Sequence, residues 1–354
     1  MSAGRDREPG TKMQFASDNY AGICPEACEA MQAANAGYAG SYGGDQWTKK
    51  ASELFRNLFG TDCETFFVFN GTAANALALA SICGSHNGIY CHRWAHIETD
   101  ECGAPGFYTG GAKLLLIDGE NGKIGPEGLK AAIDYRSDIH YTSPRALSIT
   151  QTTELGTIYT PDQVRELSDI AHSHRLLVQM DGARFANAAA ALGTSPAQIT
   201  WRAGVDVLSF GGTKNGLAVG EAVVFFNKDL AREFEYRRKQ AGQLASKMRF
   251  LAAPWVGVLE NGAWLEHARH ANDCAALLES ELRQFPGLKI MFPREANAVF
   301  VWMPETLSEG LYDRSWHFYT LMGQGDFRLM CSWATTDDDI RAFVADVREL
   351  AAAK

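Results

Sequence analysis

A mostly parallel α/β sheet flanked by helices, followed by a smaller C-terminal α+β domain, is the fold class that this sequence predicts. Three observations lead there. From about residue 66 to 226, short apolar runs are separated mainly by helical segments, the sequence form of strands interleaved with helices. The runs are apolar throughout rather than alternating, which suits strands covered on both faces. Beyond Phe226 the pattern changes to long helices followed by short strands.

Taken in order, Met1 to Lys12 are polar and lack the apolar core of a signal peptide, so residues 1–16 read as an N-terminal tail. Residues 17–260 are assigned to the large domain and 261–354 to the small one. Ser17-Asp18-Asn19-Tyr20-Ala21-Gly22 opens the structured part and leads to a helix start at Pro25. The tract 37–45 is rich in glycine and tyrosine, a composition suited to a pocket wall or subunit contact as well as to a surface loop. Residues 47–59 form an amphipathic helix with Leu54, Phe55, Leu58 and Phe59 at helical spacing. Strands are expected at 66–69, 114–117, 147–150, 176–180, 205–210 and 222–226, with helices at 73–83, 126–135 and 161–174. Residues 229–260 are helical with breaks near Gly242 and Pro254, and 264–285 is a long helix ended by Pro286-Gly287. The small domain adds strands at 289–292, 298–303 and 328–333 and a closing helix at 337–353. Thr336 is placed to cap that helix, and Asp337, Asp338 and Asp339 complement its dipole.

Composition bounds the function. Of 354 residues, 46% are hydrophobic and 21% charged, which is enough apolar material for a substantial core. The net charge is −9 with no basic run, which argues against nucleic acid or an anionic membrane as partner. No stretch is apolar for long enough to span a bilayer. The 8 cysteines are dispersed and form no disulfide scaffold, so reduced thiols in a cytoplasmic protein are expected.

Four constellations carry chemistry. Asn70-Gly71-Thr72-Ala73-Ala74-Asn75 follows a strand and begins a helix, leaving amides and a hydroxyl where a phosphate binds well. It is neither a Walker A loop nor a G-x-G-x-x-G fingerprint, and a plain strand-to-helix turn would look similar. Asp181-Gly182-Ala183-Arg184 puts a carboxylate at the end of a buried strand, where open α/β sheets bind ligands. That Asp can pair with a cationic heterocycle nitrogen or simply cap the next helix. Lys214 follows the strand 205–210 and the pair Gly211-Gly212, placing an amine among residues small enough for an aldehyde cofactor to approach. Arg328 is read as the mouth of a late strand, where a guanidinium can clamp a carboxylate. Cys91, His92, His96 and Cys102 are close in sequence, but their spacing matches no paired metal-ligand arrangement, and His96 reads better as a pocket histidine.

The order of these signals is that of the fold-type I pyridoxal-phosphate enzymes. Within that set the chain resembles the threonine aldolase and β-eliminating lyase family over almost its full length from Ser17. It is most similar to the bacterial low-specificity L-threonine aldolase and L-phenylserine aldolase group. The resemblance rests on Ser17-Asp18-Asn19, Gly71-Thr72-Ala73-Ala74-Asn75, His96 with Glu101-Cys102-Gly103-Ala104-Pro105, Asp181-Gly182-Ala183-Arg184, Ser209-Phe210-Gly211-Gly212-Thr213-Lys214-Asn215-Gly216 and Ser246-Lys247-Met248-Arg249.

The resemblance implies pyridoxal 5′-phosphate as cofactor, held covalently by Lys214. It implies that Asp181 keeps the ring nitrogen protonated, that Gly71 and Thr72 hold the phosphate, and that Arg249 reaches a neighbouring subunit's phosphate. His96 is expected to stack on the ring and to act as a base. Arg184 is expected near the cofactor's phenolic oxygen, and Ser17, Arg184 and Arg328 at the substrate carboxylate. The implied reaction splits L-threonine, L-allo-threonine or L-phenylserine into glycine and an aldehyde, in a homo-oligomer, dimer or tetramer, with interfacial sites. Many family members carry Glu-Asn-Thr-His before the cofactor Asp. Here the stretch reads Gln151-Thr152-Thr153-Glu154, with Glu154 in place of the His, so the proton acceptor is expected to be His96 assisted by Glu154 or a Thr hydroxyl. The alternatives are β-elimination or transamination with the same cofactor, a metal enzyme, and a non-catalytic α/β binding protein.

Overall fold

A computed structural model describes residues 14–321 and 323–352. Its larger sheet holds β1 (Glu64–Val68), β2 (Asn87–His92), β3 (Lys113–Ile117), β4 (Ser143–Thr150), β5 (Leu177–Gly182), β6 (Val207–Gly211) and β7 (Glu221–Phe225). The order is β1-β7-β6-β5-β4-β2-β3. Neighbours from β6 to β3 pair parallel, whereas β7 pairs antiparallel with both β6 and β1. The fold class follows as expected: helices cover this sheet, and a smaller antiparallel sheet follows it.

Six of these strands lie where the apolar runs place them, and β2 is the addition. It reads Asn87-Gly88-Ile89-Tyr90-Cys91-His92, too polar to register as an apolar run, yet all of it is buried. Its polar ends are satisfied by β4 and a neighbouring loop: Asn87 Nδ2 donates to Ser143 O at 3.2 Å, and His92 Nε2 lies 3.2 Å from Gly119 O. A Cβ at Gly88 would come within 2.6 Å of Leu115 Cδ1, so glycine lets β3 approach.

The helix Gln46–Phe59 starts from Asp45, whose side chain accepts from Thr48 N, and buries Phe55 and Phe59 against the sheet. Phe55, Phe210 and Trp255 meet there at centroid separations of 5.1–5.7 Å. The break near Gly242 is present, with φ +72°, but the helix Arg249–Glu260 continues through Pro254, which is buried within it.

The smaller sheet is β10-β11-β9-β8, formed by β8 (Lys289–Ile290), β9 (Ala298–Trp302), β10 (Tyr319–Thr320) and β11 (Asp326–Met330). Arg328 therefore sits mid-strand in β11, opposite Phe300 and Tyr319, rather than at a strand mouth. The closing helix Asp337–Ala352 is capped as expected, with Asp339 N donating to Thr336 Oγ1 at 3.2 Å. Most of the expected tail, residues 1–13, lies outside the described residues. Gln14, by contrast, bridges to His317, and Phe15 is buried between Trp316 and Phe343 in the second core. Ser17 to Tyr20 then carry the chain from the small sheet to the large one.

Candidate active site

The carboxyl ends of β1, β2, β4, β5 and β6 converge on one edge of the large sheet, where a cavity of about 250 Å³ opens. Gly71, Thr72, His96, Asp181 and Lys214 all line it, together with Asn19, Asn75, Ser209, Thr213 and Glu221.

At one wall, Asn70 caps the helix Gly71–Ile82 by accepting from Ala73 N at 2.9 Å. The amides of Gly71 and Thr72 precede the first intrahelical bond and remain available at the positive end of the helix. Opposite, the chain leaves β6 at Gly211, where a Cβ would stand 2.2 Å from the Ala183 carbonyl oxygen. Only glycine lets β6 turn this tightly against the end of β5. The turn Thr213–Asn215 then presents Lys214, and Asn215 Nδ2 anchors it to Trp264 O at 2.7 Å. Burial lowers the Lys214 pKa, and the Arg184 charge lowers it further, against the pull of Asp18, Asp181 and Glu221.

Asp181 lies in register between Thr150 of β4 and Ser209 of β6 and is buried. Both of its oxygens are held: Oδ1 accepts from Ala183 N at 2.9 Å and Oδ2 from Asn75 Nδ2 at 2.8 Å. The same Asn75 nitrogen donates to Glu101 Oε1 at 2.9 Å, and Asn75 Oδ1 accepts from Gln179 Nε2 at 3.1 Å. Glu101 in turn meets His96 Nδ1 at 2.9 Å. That bond raises the His96 pKa, against the effect of burial. Burial pushes the Glu101 carboxyl up, despite the bonds from His96 and Asn75.

Glu154 is held elsewhere than the cavity lining. Its Oε1 accepts from the His96 backbone N–H at 2.8 Å, and its Oε2 is buried without a partner among the described residues. Burial and then the Asp181 charge push its carboxyl up to about 7.

The remaining expected residues flank the cavity. Arg184 spends one edge of its guanidinium on Asp18, with Nε–Oδ2 at 2.6 Å and Nη2–Oδ1 at 3.0 Å. Burial works to raise the Asp18 pKa, but the charge and hydrogen bond of Arg184, together with the charges of Lys214 and Arg328, hold the carboxyl below its usual value. Arg328 donates from Nη2 to the Ala16 carbonyl at 3.2 Å, and its Nε is buried without a partner among the described residues. Ser17 Oγ accepts from Asn19 N at 3.1 Å beside it. Arg249 lies outside this cavity, with Nη1 on Gly37 O at 3.3 Å in the tract that carries the exposed Tyr38.

Cys91 is buried, Cys102 is exposed, and His92 and His96 bond to different partners, so these four residues do not converge. Among the described residues, the His, Cys and carboxylate groups close enough to share an ion are Cys24, Glu26 and His267, with donor atoms within 4.8 Å of one another.

The roles of Asn75, Asp18 and Glu221 escaped sequence reasoning. A lone asparagine in the otherwise apolar helix, and a carboxylate opening an apolar strand seven residues after Lys214, are the signals that could have marked two of them.

A family model described as "Beta-eliminating lyase" matches residues 14–306. A low specificity L-threonine aldolase of a Pseudomonas species is 56% identical over 340 residues, covering 96% of this chain and 98% of that one. The Pseudomonas aeruginosa protein of the same name is 57% identical, covering 95% and 97%. Among solved structures, a Leishmania major threonine aldolase matches with TM-score 0.90 at 26% identity, covering 96% of this chain and 99% of that one. A Sphingomonas wittichii serine palmitoyltransferase shares the fold, with TM-score 0.72 at 15% identity, covering 98% and 88%.

Proposed function

The chain belongs to the β-eliminating lyase family, and from that premise we infer that it is a pyridoxal 5′-phosphate-dependent aldehyde-lyase of the threonine aldolase type. It cleaves the Cα–Cβ bond of L-β-hydroxy-α-amino acids to give glycine and an aldehyde. L-Threonine and L-allo-threonine are the substrates we assign, with the range extending to L-phenylserine. One observation carries the reading: Lys214 and Asp181 face one cavity from adjacent strand ends, with the Gly71–Ile82 helix N-terminus on its wall.

The residues fit the cofactor. Free amides at Gly71 and Thr72 suit a phosphate. A carboxylate fixed at both oxygens suits a protonated ring nitrogen, and a lysine of lowered pKa suits a nucleophilic amine. When bound, the cofactor supplies the electron sink for the pair left on Cα as the Cα–Cβ bond breaks.

The chain's own residues do the rest. Arg328 offers its unpaired Nε to the substrate carboxylate, with Ser17 and Arg184 assisting, and this clamp fixes which Cα bond is presented. His96, donating Nδ1–H to Glu101, keeps Nε2 as a proton acceptor for the β-hydroxyl. Glu154, bonded to the His96 backbone, is assigned to holding that histidine in place rather than to accepting the proton itself.

Arg249 lies beside the exposed 37–45 tract and away from its own cavity. That supports a homo-oligomer, dimer or tetramer, in which it serves a neighbouring subunit. Among the described residues no helix is long and apolar enough to cross a membrane, and we place the protein in the cytoplasm.

The test is product analysis. Incubation with L-threonine should yield glycine and acetaldehyde in equal amounts. A keto acid with ammonia, or a keto acid formed only with an amino acceptor, would replace this reading by β-elimination or transamination.

A further inference from the structure

Glu221 has no part in the chemistry above, yet it is buried in the lining of the same cavity. It opens β7, and its register places it beside Val68, the last residue of β1, and beside Gly211, the last of β6. The carboxyl therefore stands between the turn that leads into Gly71 and Thr72 and the turn that leads into Lys214. One oxygen, Oε2, accepts from the Gly212 backbone N–H. The Thr213 hydroxyl lies beside it and is buried without a bond of ordinary geometry to any described residue.

An ionised carboxylate in this buried position would face a phosphate anion across the cavity wall, and two such charges repel where solvent screening is reduced. A neutral carboxylic acid would instead donate its O–H to a phosphate oxygen. Resting on the cofactor reading of this cavity, we propose that Glu221 is the proton-carrying wall of the phosphate subsite and binds the phosphate end of the cofactor as a neutral acid, taking up one proton when the phosphate enters.

The surroundings favour the neutral form. Burial is the main cause of a carboxyl pushed up to about 7, opposed by Thr213, Gly212 and the charge of Lys214. Lys214 is the charged group facing it from the β6 side. From the β1 side come Val68 and the neutral Gln243, whose Oε1 accepts from Phe69 N at 2.9 Å. Arg238, on the helix Phe234–Gln240, bonds the Phe67 carbonyl at 3.5 Å. From the helix Arg249–Glu260, the carbonyl oxygen and Cγ of Leu251 lie near Gly220 and the Trp255 ring lies near Gly212, and neither side chain carries a charge.

The experiment measures pyridoxal 5′-phosphate binding to the full-length apo-protein by absorbance, from pH 6.5 to 8.5, for wild type and Glu221→Gln. Glutamine keeps the shape and a donor but cannot ionise, and the ratio of the two dissociation constants cancels the ligand's own titration. That ratio should rise roughly 25-fold across the range, which is the linkage for one carboxyl titrating near 7. Calorimetry in two buffers at pH 8 should show wild type taking up close to one proton more than the variant. Pyridoxal, which lacks the phosphate, should give a flat ratio.

A ratio independent of pH, or the same rise with pyridoxal, overturns the role given to Glu221 while leaving the cofactor reading intact. No uptake of the cofactor by wild type at any pH overturns both. Should glutamine disturb packing, Glu221→Ser must show the same loss of pH dependence.

Discussion

Asn75 is the residue whose removal tests the site's architecture most sharply. Its side-chain nitrogen donates to Asp181 at 2.8 Å and to Glu101 at 2.9 Å, and its oxygen accepts from Gln179. Asn75→Ala removes all three bonds inside a buried site. Hydrogen bonds to charged groups are each worth about 1.5–3 kcal/mol. Asp181 keeps the Ala183 amide and Glu101 keeps His96, so the lower part of that range applies to each of these two bonds, and with the neutral Gln179 bond, worth about 1 kcal/mol, the loss comes to about 4 kcal/mol. Urea unfolding of the apo-protein at fixed concentration measures it. Because Asp181 Oδ2 is then free to turn, cofactor affinity should also fall by about tenfold, the equivalent of one lost bond of about 1.4 kcal/mol. Asn75→Asp, isosteric but carrying a third carboxylate between the other two, should be worse than alanine at pH 8 and recover on acidification. An alanine variant within about 1 kcal/mol of wild type and with unchanged affinity would refute the reasoning.

Other outcomes follow from the same geometry. Asp18→Ala leaves Arg184, 14% exposed, without its partner and should cost about 3 kcal/mol in urea unfolding, the low end for a buried pair; a much smaller loss would mean solvent reaches the guanidinium. Glu154 carries a carboxyl whose folded pKa, about 7, exceeds its unfolded value. Its contribution to stability is therefore fully present in acid, below the unfolded pKa, and is lost as pH rises through 7. Glu154→Gln should flatten the fall in Tm of the apo-protein between pH 6 and 8. It should lower kcat while keeping the shape of the pH–rate profile; loss of one limb would make Glu154 the base. Gly211→Ala drives a Cβ into the Ala183 backbone, which has no flexible atom to yield, so the Lys214 turn should be displaced. Soluble protein with normal cofactor affinity would contradict that close approach.

Much of this was readable in the sequence because it was written in runs. Strands such as β6 and β7 are apolar on both faces, and Gly71-Thr72, Asp181 and Lys214 sit directly at the ends of such runs. β2 was not readable, because Asn87, Gly88 and His92 solve their burial through partners on other strands and loops. The position of Arg328 misled for a related reason: β11 begins earlier, at Asp326, and only the fold brings its guanidinium to Ala16. The Asn75 hub lay hidden because its partners are 26, 104 and 106 residues away. Sequence spacing carries no trace of a contact set by how strands are ordered in the sheet. The Gln151-Thr152-Thr153-Glu154 departure was visible as a change, but only the bond to the His96 amide shows what the new carboxylate holds.

The central claim is that Lys214 carries the cofactor in this cavity. Borohydride reduction of the purified, cofactor-loaded protein, followed by peptide mass mapping, tests it in one measurement. The account predicts a phosphopyridoxyl mass on the peptide containing Lys214, and its disappearance in Lys214→Ala. A label on another lysine, or a loaded protein that takes no label, would contradict it.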